Sequence, residues 1–87
     1  MSNQEAEAFR RAVGKRLRLL RVVRELTQDE LAQAAGVTRN QVSGFERAAQ
    51  GLDVVALLRL SAALRVPVAE LLAVGAPVAD RAEGPPS

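Results

Sequence analysis

The chain has 87 residues, with 12 Lys and Arg against 10 Asp and Glu, a formal charge of +2, and neither Cys nor His. That length leaves room for one small domain, and the missing residue types exclude disulfides, thiolate or imidazole metal sites, Cys or His nucleophiles and a histidine switch near neutral pH. No apolar run approaches the roughly 20 residues that span a bilayer and the polar start lacks a signal-peptide pattern, so a cytoplasmic chain without membrane contact is expected.

Phe9, Val13, Leu17 and Leu20 recur at steps of four and three and predict a first helix from about Glu5 to Arg24. Seven of the twelve basic residues lie between Arg10 and Arg24, where there is no acid. Such a band suits a polyanion, because phosphate neutralisation releases counterions; on charge alone, a solvated helix face is the simpler reading. Next, Thr27 with Glu30 and Thr38 with Gln41 each set a hydroxyl three residues before Glu or Gln, the spacing of a capping box. They predict a second helix over Gln28 to Ala35 and a third from Arg39 to about Ala48. Gly36 ends the second, since it takes a positive φ that a Cβ resists. Leu31, Ala32 and Ala35 give the second helix its inner face, and Val42 and Phe45 the third.

Asp53 is a predicted N-cap for a fourth helix, with Leu57, Leu60 and Leu64 as its buried stripe beside Ala56 and Ala63. Val66-Pro67 disfavours continuation past Arg65, and Pro67 suits the first turn of a short fifth helix carrying Glu70, Leu71 and Leu72. Residues 75–87, GAPVADRAEGPPS, hold three of the four prolines and little apolar periodicity, which predicts a flexible tail after a domain over 1–74. The expected class is therefore all-α, a compact bundle of five helices.

Two short helices joined by a sharp turn with Gly form a helix-turn-helix, whose second helix can enter a DNA major groove. Residues Thr27 to Arg47, TQDELAQAAGVTRNQVSGFER, resemble the Xre/Cro/CI family of phage and bacterial repressors, whose consensus runs TQ-x-ELA-x-x-x-G-V-(S/T)-x-x-x-(V/I)-S-x-x-E-R. The similarity extends over roughly residues 13 to 72, through VGKRLRLLR before the motif and LLRLSAALRVPVAELL after it. It implies a lambda-repressor-like domain that binds double-stranded DNA through helices two and three.

On a helical wheel with Val42 and Phe45 inward, Asn40, Gly44 and Arg47 point outward, flanked by Gln41 and Ser43, with Arg39 at the helix start. In the resembling repressors the first, second and sixth residues of this helix touch base edges, here Arg39, Asn40 and Gly44. Arg pairs bidentately with guanine and Asn with adenine, each worth about 1 to 3 kcal/mol of discrimination. Gly44 offers no such bond. It is either a costly helix-interior glycine or a relief that lets backbone approach bases. The expected base-reading set is Arg39, Asn40, Gln41, Ser43 and Gly44. Gln28, at the start of helix two, and Thr38 are placed to hold phosphates through side chain and free amides. Arg47, Lys15 and Arg18 can reach the flanking backbone, or can serve solubility alone. The resemblance further implies an ion pair of Arg21 with Glu46 that braces helix one on helix three.

After Arg47 the resembling family commonly has Gly, basic residues and Pro, whereas this chain has Ala48-Ala49-Gln50-Gly51-Leu52. A single small domain covers one half-site, so a homodimer on a palindromic operator is expected, with Val68, Leu71, Leu72 and Val74 as the candidate dimer surface. Capping of the monomer core is the alternative for these four, evenly balanced for Leu71. A sequence-specific transcriptional regulator, a repressor in the resembling proteins, is the leading functional expectation. A protein-interaction module of the same fold, such as an antitoxin or adaptor holding a protein partner, is the second. No catalytic, metal or cofactor constellation can be assembled from the acids and hydroxyls present.

Overall fold

The structure is a computed structural model in which residues 2–49, 51 and 53–74 are described. Its helices are α1 (Asn3–Val23), α2 (Gln28–Ala35), α3 (Arg39–Glu46), α4 (Val54–Leu64) and α5 (Val68–Leu72), an all-α architecture. The proposed tail, 75–87, lies outside the described residues.

Local chemistry starts the helices. Ser2, Thr27 and Thr38 each accept the N–H of the residue three ahead, while Glu5, Glu30 and Gln41 reach back to the cap N–H, giving three full capping boxes. The box at Ser2 starts α1 ahead of the expected Glu5, and its hydrogen bonds, the Ser2 N–H first, hold the Glu5 carboxyl below its ordinary range. Asp53 caps α4 by accepting from the Val55 and Ala56 amides at 2.9 and 3.2 Å. Pro67 stands just before α5, at its cap position, without a side-chain cap.

The helix ends share one geometry. Behind α1, α2, α3 and α4 a residue with positive φ turns the chain: Glu25 (59°), Gly36 (71°), Ala48 (55°) and Arg65 (59°). Each turn is closed by a pair of backbone bonds, as where Leu26 N–H donates to Arg21 O at 3.1 Å and Glu25 N–H to Val22 O at 2.9 Å. This is the Schellman arrangement, which satisfies carbonyls that a helix end leaves open. Leu26, Val37 and Val66 follow the positive-φ residue after α1, α2 and α4, and all three pack on the core. α3 ends at Glu46, short of the expected Ala48, because this turn occupies Ala48 and Ala49.

Val13, Leu17, Leu20, Leu31, Val42, Phe45, Leu57, Leu60, Leu64 and Leu71 make one shared core. α1 closes on α3 at Gly14, where a Cβ would collide with the Phe45 carbonyl oxygen and come within 2.9 Å of the Glu46 carbonyl oxygen. The basic band of α1 is split by these contacts. Arg16 is buried, 6% exposed, and its Nε donates to the Glu70 carbonyl of α5. Arg24 Nε donates to Leu64 O at 3.0 Å, at the end of α4. Arg21 turns to α3, so Arg10, Arg11, Lys15 and Arg18 are left for the surface. No helix is long and apolar enough to cross a membrane, and no cluster of metal-ligating side chains occurs, among the described residues.

Candidate nucleic-acid interface

α2 and α3 meet across a turn of two residues, Val37 and Thr38, that follows Gly36. Val37 N–H donates to Ala32 O at 3.0 Å, and Arg59 of α4 donates to Gly36 O at 3.3 Å, so the turn is tied from both sides. α3 buries Val42 and Phe45 and leaves Arg39, Asn40 and Arg47 exposed, with Ser43 half-buried between them. At the helical repeat these four share one face, which carries two cations and no acid.

A hydrogen-bonded brace holds this face to the body. Arg21 Nε donates to Glu46 Oε2 at 2.6 Å and Arg21 Nη2 to Glu46 Oε1 at 3.0 Å, a two-pronged fork. Arg21 Nη1 also donates to Leu26 O at 2.8 Å, and the Gln28 amide donates to Glu46 Oε1 at 3.1 Å. The two charged side chains are 13% and 5% exposed. The Glu46 carboxylate holds the Arg21 guanidinium above its ordinary value, against the opposing effect of burial. α1, α2 and α3 are therefore locked at one point, which fixes the attitude of α3.

The expected contact residues fall into several environments. Arg39 and Asn40 are exposed; Arg39 has a loose pair with Asp29 at 3.7 Å, both side chains largely in water. Gln41 is half-buried, and its Oε1 accepts the Thr38 N–H at 2.9 Å, so it serves the cap first. The Thr38 hydroxyl accepts the Gln41 N–H at 3.1 Å and is likewise engaged in the cap. Ser43 Oγ accepts from Arg47 Nε at 3.1 Å. The Gln28 side chain, expected at a phosphate, is held by Glu46, which leaves the first amides of α2 and the other amide hydrogen of Gln28 as donors.

Gly44 corrects the wheel: expected on the outward face, it is buried. Without a Cβ it has only backbone to show, and the Ala48–Ala49 turn folds back over it, with Ala49 N–H donating to Gly44 O at 2.8 Å. Leu71, balanced between dimer surface and core, proves to be core: it is completely buried in the monomer, next to the Glu70 carbonyl that Arg16 holds, and so leaves the candidate dimer surface. Val68 is half-buried and packs on the same core. Leu72 and Val74 stay exposed, at 39% and 42%. Lys15 and Arg18 sit on the outer face of α1 with Leu19 and Val22. Gly14 and Arg16 carry no local signal in the sequence, because their roles depend on which helix lies opposite.

A family model described as a helix-turn-helix domain matches residues 12–74. Among solved structures, the restriction-modification controller protein C.AhdI from Aeromonas hydrophila is 38% identical, with a TM-score of 0.72 over 74% of this chain and 97% of that one. The clp gene regulator ClgR from C. glutamicum is 32% identical, with a TM-score of 0.69 over 75% of this chain and 84% of that one. SinR, a master regulator for biofilm formation solved in complex with DNA, is 34% identical, with a TM-score of 0.66 over 69% of this chain and 97% of that one. No curated protein matches the chain.

Proposed function

The chain belongs to the helix-turn-helix family of Xre-type DNA-binding transcriptional regulators, and from that premise we propose that it reads operator DNA in the major groove with α3, as a homodimer acting as a repressor. The observation that carries this reading is the exposed face of Arg39, Asn40, Ser43 and Arg47 on a helix whose attitude is fixed by the brace of Arg21, Glu46 and Gln28. Arg39 reads guanine and Asn40 adenine, while Ser43 adds a short hydroxyl between them. To reach a base, Arg39 gives up only its loose pair with Asp29, an exchange worth about 0 to 1 kcal/mol for so exposed a contact. The Gln41 amide hydrogens contribute from the edge of this face. Gly44 contributes no surface.

Phosphates are held by Arg47, by the first amides of α2 beside Gln28, and by the first amides of α3 that follow Thr38, where the helix dipole favours an anion. Lys15 and Arg18, on the outer face of α1, act at longer range. SinR was solved with DNA, and its likeness to this chain supports a double-stranded partner here. The dimer seam rests on Leu72 and Val74, which leave apolar surface exposed next to a completed core.

Selection from random duplex DNA tests the reading, run with the wild type and with an Arg39→Ala, Asn40→Ala double variant at two salt concentrations. A palindromic motif that the variant loses is the expected result. No enrichment at either salt would overturn it and favour a module that holds a protein partner, whose mainly apolar contact would respond little to salt.

A further inference from the structure

α1 begins at Asn3 whereas the family match begins at residue 12, so residues 3–11 of this helix lie ahead of the shared domain. They are not a loose overhang. Phe9 packs against the core, and Gly14 just beyond lets α1 close onto the carbonyls that end α3. As a result, Glu7, Arg10 and Arg11 of α1 line one open notch with Arg47 and Ala48, of about 240 Å³. Three arginines share its lining with one glutamate. Arg11 pairs with Glu7 only loosely, at 3.7 Å and with both side chains 61% exposed, and Arg10 has no carboxylate partner among the described residues. Arg47 is anchored to Ser43 on the reading face, so the notch opens at the C-terminal end of that face.

We propose that Arg10, Arg11 and Arg47 form a clamp for a DNA backbone phosphate flanking the bases read by α3. The proposal rests on the DNA-reading function above and adds a contact from the N-terminal turns of α1. From Ala48 to Asp53 the chain has no Lys or Arg, so the segment leaving α3 brings no cation of its own to that strand. The early turns of α1 supply them instead. Like charges gathered in this way repel one another until an anion arrives, and a phosphate with several oxygens can accept from more than one fork. Glu7 opposes the anion and tempers the site.

Affinity for the selected operator is to be measured across a salt series for the wild type, for Arg10→Gln with Arg11→Gln, and for Lys15→Gln with Arg18→Gln, which removes equal charge from the outer face of α1. Melting curves establish that each variant folds. The expected result for the first pair is affinity on the order of tenfold weaker, with the slope of log affinity against log salt shallower by about 1 to 2 and the base preference unchanged. The outer-face pair should lose distinctly less. Glu7→Gln, a change at an exposed residue, should bind more tightly. Equal losses in the two pairs, or an unchanged salt slope in the first, would overturn the clamp while leaving the regulator reading intact. A wild type that selects no DNA would overturn both.

Discussion

At the residue scale, the three non-glycine residues held at positive φ among the described residues are the clearest departures from what a side chain prefers. Ala48 is the simplest, because it is apolar and small and its turn bonds are made by backbone alone. An L-residue in this region costs about 1 to 2 kcal/mol, and glycine returns part of that through its larger unfolded-state entropy. Ala48→Gly should therefore raise stability by about 0.5 to 1 kcal/mol, read as a higher urea midpoint; an unchanged or lower midpoint would show that the turn is not strained. Glu46 gives the opposite case. Its removal strands a partly buried guanidinium, 13% exposed, and takes the acceptor from Gln28, so Glu46→Ala should cost about 1 to 3 kcal/mol. In a double-mutant cycle with Arg21→Met the second change should add little, because the charge left unpaired by the first is gone. Full additivity would contradict the brace.

At the element scale, the approach of α1 to α3 sets where the C-terminal end of the reading helix lies. Gly14→Ala places a methyl group against two backbone carbonyls, which cannot swing aside as a flexible side chain can. We expect a loss of about 1 to 3 kcal/mol in thermal unfolding, with weaker DNA binding in the molecules still folded because Arg10 and Arg47 move apart. A stable variant with unaltered binding would show that the two helices separate freely. This contact also marks the limit of reading from sequence. Caps, apolar stripes and Gly36 lie within a few residues of one another, and from them the five helices and the turn between α2 and α3 could be read in order. Gly14, Arg16 and Arg24 act on residues 32, 54 and 40 positions away, at Glu46, Glu70 and Leu64, and no local spacing announces such partners. Gly44 is hidden from sequence for a related reason: a wheel ranks directions of Cβ, and this residue has none, so the wheel does not fix its exposure. Leu71 and Leu72 are adjacent apolar residues on a helix of five, and which one is buried depends on how α5 lies against α1 and α4, a packing that Arg16 helps to hold.

At the scale of the whole molecule, the modest net charge of +2 conceals a division of labour among the cations. Arg16, Arg21, Arg24 and Arg59 donate to backbone carbonyls or a buried carboxylate and hold the helices together, while Arg39 and Arg47 face outward on α3. One chain presents one such helix, and a palindrome offers two half-sites about 34 Å apart. Joining two chains makes the second contact intramolecular, and the gain in avidity can reach about 10² to 10⁴ without any new base contact. If Leu72 and Val74 form the seam, Leu72→Glu with Val74→Glu sets four like charges against one another across the two-fold axis. Both side chains are exposed in the monomer, so its melting temperature should hold. Sedimentation should then report a monomer, and affinity for the full operator should fall by about 10² or more, with the affinity for an isolated half-site unchanged. A variant that still sediments as a dimer and binds the full operator as tightly as the wild type would place the seam elsewhere. The exposed apolar side chains of α4, Val54, Val55 and Leu58, would then be the next surface to charge.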